Sequence, residues 1–296
     1  MITGIPSCIN CTSIALQRVN PVKKIVLLKC TNCKLVFSKI TPNEDELLKF
    51  YLKYPEYGLI SPITFSRYNR LLDEFQKYRN TNNILDVGCG NGFFLDEAKK
   101  RGWNVFGSEF YDRSIEICKG KGIEMVKGRF TSQSFPSIQF DVITSFEVLE
   151  HTHTPKEEIQ DIYSCLRPGG LVYITTPNFD SLSRYLLGDK WSVISYPEHL
   201  SYFSTYSIRY LFEKTGFKTI LVQTTGMSIA RIIDGLKTKF LKSSPSFANT
   251  KPNLDQSLRN NIETNRLLSL LKSFINRLLI LTKKGDTLKA YFQKPE

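Results

Sequence analysis

The 296-residue chain is poor in the residues that most often do proton and redox chemistry. It has three histidines, three methionines and two tryptophans. It also lacks a long apolar run. The greasiest stretch, Leu267 to Leu281, is broken by Lys272 and Arg277, so no segment reads as a membrane-spanning helix. Met1 to Ser13 has no basic start followed by an apolar block, so no secretory signal is expected. Apolar residues at 41% and charged residues at 23% exclude collagen-like and disordered classes. These absences predict a soluble, cytoplasmic protein. Its length suggests two domains, or one domain with decorations, able to bury a core without staples.

Acid is scarce at both ends. Residues 1–40 carry six Lys/Arg and no Asp/Glu, residues 231–296 have a net charge of +8, and the middle is −2 out of a total of +12. Basic ends suit nucleic acid, anionic lipid or a phosphorylated substrate, or they are simply solvated surface.

Seven cysteines occur, and four are patterned: Cys8-x2-Cys11, eighteen residues, then Cys30-x2-Cys33. Each pair presents two thiolates from one tight turn, and the connector can fold back as a hairpin, the arrangement of a tetrahedral zinc site. A disulfide pair or a thiol redox site competes, but a reducing compartment disfavours the first. Four protein ligands close the coordination sphere, so this Zn2+ is expected to be structural. The run Ile25-Val26-Leu27-Leu28 and Leu35-Val36-Phe37 are the expected strands.

From residue 47 onward, segments of helical and strand character alternate. Leu47–Tyr54 and Thr64–Tyr78 have helical spacing. Strands are expected at Ile84–Val87, Asn104–Gly107, Ile123–Val126, Phe140–Ser145 and Leu171–Thr175, with helices after Gly92, at Asp112–Lys119 and from Thr154. Thr154-Pro155-Lys156-Glu157 reads as a capping box with proline at the first helical position. Such alternation means a mostly parallel sheet with helices on both faces, and its ligands sit beyond the carboxyl ends of the strands.

The glycine-rich turn after the first of these strands is Asp86-Val87-Gly88-Cys89-Gly90-Asn91-Gly92. It lacks the third glycine of the dinucleotide fingerprint, since Phe93 stands there. Glu109, at the end of the next strand, suits a carboxylate that binds ribose hydroxyls. These residues, with Phe140-Asp141-Val142 through Glu147-Val148-Leu149-Glu150-His151 and Leu166-Arg167-Pro168-Gly169-Gly170, resemble class I S-adenosylmethionine-dependent methyltransferases over about residues 60–225. With the four-cysteine module, Thr176-Pro177-Asn178, Trp191, Glu198-His199-Leu200 and Gly216-Phe217, the layout is similar to a subgroup found beside sugar and surface-glycan biosynthesis genes.

The resemblance implies an α/β fold. This is a doubly wound, Rossmann-like, seven-stranded methyltransferase sheet with a small N-terminal zinc ribbon and a helical insertion before the last strand. The parts are 1–40 zinc ribbon, 41–80 helical linker and lead-in helix, 81–225 core, and 226–296 insertion and closing strand. It also implies S-adenosylmethionine as cofactor. Gly88, Cys89, Gly90 and Gly92 would lie along its amino-acid part, Asp86 would orient the amine, and Glu109 would hold the ribose. Phe146 and Glu147 would line the methionine end, and Phe130 joins the cofactor set. The family often has an acid after the third strand that meets adenine. Here Gly128-Arg129-Phe130 stands instead, leaving that role to backbone groups, Ser132 or Gln133.

Methyl transfer from a sulfonium is an in-line displacement, and a base is needed only where the acceptor must lose a proton. By resemblance to sugar C-methyltransferases, Tyr196, Glu198 and His199 are candidate catalytic residues on a lid after the fifth strand. In an extended segment, Tyr196 and Glu198 share a side and His199 faces away, and His199 alternatively caps the helix beginning near Ser204. His151 either touches substrate or serves as a helix-entry hydrogen bonder, and His153 reads as exposed loop. Trp191 and Tyr196 either stack on a substrate ring or pack the lid.

Helix Thr205–Thr215, a sixth strand Phe217–Gln223 and an antiparallel seventh strand Thr287–Phe292 complete the sheet. Between these last two strands lie about sixty residues. They contain a stripe over Ile229–Phe240, a polar linker Lys242–Asn261 and a wider apolar stripe from Leu267. The basic second helix suits a membrane surface, or else an inserted cap packed on the sheet or on a second subunit. The leading expectation is methylation of a small molecule, a sugar or nucleotide-linked sugar, on oxygen or carbon. The alternatives are an RNA methyltransferase that grips phosphates with the ribbon and basic ends, and a binding protein that keeps the cofactor fold without activity. No Asp/Asn-Pro-Pro-Tyr/Phe and no catalytic cysteine follows the fourth strand of the core, which disfavours exocyclic base amination.

Overall fold

The computed structural model describes residues 6–19, 25–42, 46, 60–227 and 266–296, with backbone only over 266–273. The helix expected at Leu47–Tyr54, the stripe Ile229–Phe240 and the linker Lys242–Asn261 lie outside the described residues. In chain order the elements begin with β1 (Leu16–Arg18), β2 (Leu27–Cys30) and β3 (Val36–Ser38), an antiparallel meander. Next come α1 (Pro62–Phe75), β4 (Asn83–Val87), α2 (Phe93–Lys100), β5 (Asn104–Glu109), α3 (Asp112–Gly120), β6 (Glu124–Lys127) and β7 (Phe140–Phe146). The remainder is α4 (Pro155–Cys165), β8 (Leu166–Pro177), α5 (Leu182–Leu187), β9 (Ser201–Tyr202), α6 (Thr205–Thr215), β10 (Lys218–Thr225), α7 (Arg266–Thr282) and β11 (Thr287–Gln293).

Seven strands form one sheet in the order β10-β11-β8-β7-β4-β5-β6. The five from β8 to β6 are parallel, and β11 inserts antiparallel between β8 and β10. The chain runs outward from β4 to β6 and then returns to place β7 on the other side of β4. The loops after β4 and β7 therefore diverge from one crevice, where such sheets bind ligands.

Side chains alternate across the sheet with period two. Leu85, Phe106, Ile143, Val172 and Ile174 pack with Ile159 and Ile162 of α4 and Ile208, Leu211 and Phe212 of α6. Ile84, Val105, Val142, Leu171 and Tyr173 pack on the other face with Leu72 and Phe75 of α1 and Phe94, Leu95 and Ala98 of α2. Each fully buried large apolar side chain is worth about 1.5–3 kcal/mol. An exposed ion pair gives about 0–1 kcal/mol, so these two layers hold the sheet. At the far end from the crevice, buried Asp141 accepts from Asn80 N (2.8 Å), Asn82 N (2.8 Å) and Arg167 Nε (2.6 Å), tying the lead-in loop to the start of β8.

Two local expectations need correction. β8 begins at Leu166 rather than Leu171, because Leu166 is already extended (φ −79°, ψ 133°) and pairs with Phe140. Thr154 makes no side-chain cap on α4. Its N–H instead donates to Thr152 Oγ1 at 3.1 Å, so the neighbouring threonine takes over the local hydrogen bonding. A reciprocal box does form on α6, where Ser204 and Ser207 each bond the other's backbone. At α7, Leu279 is buried and its carbonyl accepts from Thr224 Oγ1 at 3.0 Å, while Phe274, Leu278 and Leu281 are exposed. Among the described residues no helix is long and apolar enough to cross a membrane.

Candidate functional site

The crevice is built first by the glycine turn after β4. Gly88, Gly90 and Gly92 have φ of 69°, 53° and 68°, the left-handed region that side chains resist. A Cβ at Gly88 would stand 2.5 Å from Val148 Cγ2, and one at Gly92 would stand 2.7 Å from Cys118 Sγ. The turn is thus a bare backbone strip pressed against the β7 loop on one side and α3 on the other. Cys89 lies with its Sγ 4.0 Å from Cys118 Sγ.

Two carboxylates flank this strip. Glu109 Oε2 accepts from Gly90 N at 2.9 Å, and its Oε1 accepts from Phe110 N at 2.7 Å, so the carboxylate is fixed against the glycine turn. Asp86 is 3% exposed and accepts from Thr144 Oγ1 at 2.7 Å. Burial pushes its carboxyl well above the usual range, against the hydrogen bond from Thr144. Among the described residues Asp86 forms no ion pair, and such a buried carboxyl suits a ligand that brings an ammonium group. A bare cradle, a ribose-type carboxylate and a buried acid together fit S-adenosylmethionine.

Phe146 lies in an aromatic nest with Tyr68 (5.8 Å), Phe94 (5.1 Å) and Tyr173 (5.7 Å). Glu147 follows with φ 54°, a backbone conformation non-glycine residues adopt at a cost and one that gathers at functional sites. Phe130 is 1% exposed, and its ring packs in the hydrophobic core. Arg129 pairs with Asp161 at 2.9 Å. Sequence reasoning did not single out Tyr68, Phe110 or Thr144. Burial first, and then the charge of Asp86, push the Tyr68 hydroxyl up to about 12. Phe110, 63% exposed directly after Glu109, is an apolar rim whose only sequence signal is its position next to the carboxylate.

The β7 loop links the cradle to the lid. Val148 packs on Gly88, and the 3-10 turn Leu149–His151 carries Glu150 and His151. The lid is not extended at His199, because His199 N–H donates to Ser195 O at 2.6 Å. This turn brings Glu198 Oε1 to 4.0 Å from His199 Nε2, contrary to the opposite-facing arrangement an extended segment gives. His199 Nδ1 pairs with Val193 O at 2.6 Å, and His151 Nδ1 with Glu198 O at 2.9 Å. Since a carbonyl only accepts, Nδ1 carries the proton in each of these two pairs, which leaves the lone pair of the neutral His199 ring on Nε2, and the His151 ring also hydrogen-bonds the Glu147 backbone. The two rings stand 4.9 Å apart, edge to face.

Beneath them, Glu150 is buried and accepts from Thr176 Oγ1 at 2.8 Å. Burial and the nearby Glu147 charge raise its carboxyl well above the ordinary range. Burial, followed by the His199 charge, lowers His151 to about 4 and keeps it neutral at physiological pH. Ligand atoms of Glu150, His151 and His199 lie within 4.8 Å of one another. The cluster is equipped to move a proton or to hold a divalent cation. His199 does not cap α6, because Ser204 does. Tyr196 hydrogen-bonds Glu46, His153 is exposed, and Trp191 is fully buried packing.

In the ribbon, Cys8, Cys11, Cys30 and Cys33 also bring their sulfurs within 4.8 Å of one another. Cys8–Cys33 and Cys11–Cys30 are 3.4 and 3.5 Å apart. Thiolates on one tetrahedral zinc lie about 3.8 Å apart, given Zn–S bonds near 2.3 Å. Asn10 N–H donates to Cys8 Sγ at 3.4 Å, the kind of outer hydrogen bond that steadies a thiolate ligand. The donor set fits Zn2+.

The profile of a methyltransferase domain family matches residues 62–222, more than half the chain. Ubiquinone biosynthesis O-methyltransferases are similar. The one from Rickettsia conorii is 27% identical over 58% of this chain and 64% of its own length. The one from Aeromonas salmonicida is 32% identical over 32% and 43%. The chain thus spans less than two thirds of the length of these relatives. A solved methyltransferase from Archaeoglobus fulgidus superposes with TM-score 0.52 at 19% identity, covering 85% of this chain and all of that one, a likeness of fold.

Proposed function

We propose that this chain, a member of the methyltransferase domain family, is an S-adenosylmethionine-dependent enzyme that methylates a hydroxyl oxygen of a small molecule, a sugar or nucleotide-linked sugar. The observation that carries this reading is the lid cluster. His199 has its Nδ1 proton committed to Val193 O, which leaves Nε2 as the atom to take a proton from an acceptor hydroxyl. Glu198, 4.0 Å from that nitrogen, stabilises the imidazolium that forms. His151, neutral and anchored to the Glu198 carbonyl, holds the turn and does not compete for the proton.

When bound, S-adenosylmethionine supplies a methyl group activated by its sulfonium. The glycine turn and Glu109 would hold that cofactor, and in-line transfer would need the acceptor oxygen brought opposite its sulfur. The polar cluster of Glu150, His151, Glu198 and His199 suits an acceptor rich in hydroxyls, and the four-cysteine layout supports the sugar class. The similarity to O-methyltransferases supports oxygen as the methylated atom. A second reading is favoured by the spacing of Glu150, His151 and His199. A divalent cation held there would lower the acceptor hydroxyl's pKa in place of a base.

The test is transfer of labelled methyl from S-adenosylmethionine into a cell extract separated into sugar-nucleotide and glycan, phenolic lipid, and RNA fractions. Label in the first fraction is expected. Label confined to phenolic lipid replaces the acceptor class but keeps the hydroxyl chemistry. Nuclease-sensitive label in RNA overturns the small-molecule reading. Added Mg2+ or Mn2+ that restores turnover after mild chelation, with ribbon zinc retained, assigns the cation mechanism.

A further inference from the structure

The ribbon and the lid share one core. β3 continues the ribbon sheet onto β9, with Val36 opposite Tyr202 and Phe37 opposite Ser201, and Ser38 N–H donates to Leu200 O at 2.8 Å. Leu27 and Val36 of the ribbon are 0% and 1% exposed. They pack in a single apolar cluster with Trp191, Val193, Ile194 and Tyr202 of the lid. Val193 supplies the carbonyl that fixes the His199 ring, and Leu200 directly follows His199. The ribbon therefore packs on the segment before the histidine and hydrogen-bonds the segment after it.

The ribbon is itself anchored behind. Cys8, Cys30, Cys33, Leu35 and Phe37 belong to the main core beside α6. Asn10 Nδ2 donates to Ser207 O at 3.5 Å, and Asn32 Nδ2 to Tyr210 Oη at 3.3 Å. Three strands of three to four residues cannot close such a unit unaided, and small four-cysteine modules fold when metal binds. β9 has two residues and among the described residues pairs with no strand but β3. Among the described residues the cofactor cradle, on β4, α2 and β5, has no strand pairing with the ribbon.

We infer that the ribbon, closed by zinc on Cys8, Cys11, Cys30 and Cys33, is a positioning element for His199, so that its metal occupancy sets the rate of methyl transfer without setting cofactor affinity. The inference rests on the reading of His199 as the base. The link is mechanical: opening the ribbon removes Leu27 and Val36 from the Trp191 cluster and β3 from β9. The Val193 carbonyl and the Leu200 backbone then lose the support that aims the imidazole. A misplacement of about 1 Å is enough to slow an aligned reaction by about a hundredfold.

The chain's two tryptophans, Trp103 and Trp191, make this readable. In full-length protein carrying Trp103→Phe, Trp191 alone reports on the lid. Cys11→Ser opens the zinc site, and Cys11→His keeps a fourth ligand and serves as the rescue. Leu27→Ala/Val36→Ala loosens the lid with zinc retained. Zinc content, Trp191 emission, amide exchange at 198–203, S-adenosylmethionine affinity and kcat are measured for each.

The expected result for Cys11→Ser is a red-shifted Trp191, faster exchange at His199 and Leu200, at least a tenfold fall in kcat and cofactor affinity within twofold. Cys11→His restores all of these, and Leu27→Ala/Val36→Ala reproduces the fall in kcat with zinc bound. Loss of zinc with unchanged kcat and unchanged Trp191 overturns the inference. Parallel loss of cofactor affinity also overturns it, because the ribbon would then support the whole fold. His199→Ala in zinc-loaded protein separates the two readings. If it leaves kcat intact while Trp191 and exchange still follow zinc, the base assignment fails, and the coupling of ribbon to lid stands apart from it.

Discussion

The cradle and the lid reach their geometry by opposite routes. The cradle comes from seven consecutive residues and one strand end: three glycines at positive φ, Asp86 below them, and Glu109 hydrogen-bonded to Gly90 N. The lid comes from pieces far apart in sequence. His151 and Glu198 meet across 47 residues, and the support for His199 reaches back to Val36. A site coded locally is rigid once its strand is in place. A site assembled from distant pieces depends on every piece being folded, and this is where catalysis becomes adjustable.

This contrast predicts distinct failures. The largest effect belongs to Gly90→Arg, in which a bulky side chain enters the bare backbone strip. Titration calorimetry should show no cofactor binding, while metal analysis finds the ribbon's zinc unchanged. Glu109→Ala is expected to weaken cofactor binding by about 10–100-fold, the worth of hydrogen bonds to a charged group. Retained affinity would remove Glu109 from the ribose site.

Acidification should separate the regions next. The folded pKa of His151 is about 4, below the ordinary 6.5, so the unfolded lid binds a proton that the folded lid refuses. The His151 contribution to lid stability therefore rises with pH between about 4 and 6.5 and is level above, whereas the raised Glu150 carboxyl contributes stability that falls as pH rises, so the His151 contribution is read in Glu150→Gln protein. Glu147, Glu150, Glu198 and His199 surround this group, and exchange at 198–203 is the readout. If those amides are insensitive across this window, His151 is not titrating as described.

The smallest effect is a fraction of a proton. Burial favours the neutral form of Asp86, and an arriving ammonium group favours its ionised form, so cofactor binding should release a fraction of a proton. Calorimetry in buffers of different ionisation enthalpy measures this, and Asp86→Asn should abolish the release.

What was legible in the sequence follows the same division. The parallel sheet, the glycine turn, Glu109 and the four cysteines were readable because each is a short-range pattern. The capping box at Thr154 was misplaced because Thr152 competes for the same N–H, while the true box at Ser204 uses a serine at its fourth position. The Phe130 ring could not be told from a cofactor contact, since core and cleft both use phenylalanine. The proximity of Glu150, His151 and His199 was not legible, because the turn at Ser195–His199 and the β3–β9 pairing are set by tertiary contacts.

The most direct test measures both regions in one preparation: S-adenosylmethionine affinity and single-turnover methyl transfer in His199→Ala protein with zinc bound. The account predicts affinity equal to the parent protein and transfer slowed by at least about a hundredfold. Transfer at the parent rate, or equal losses in affinity and rate, would contradict it.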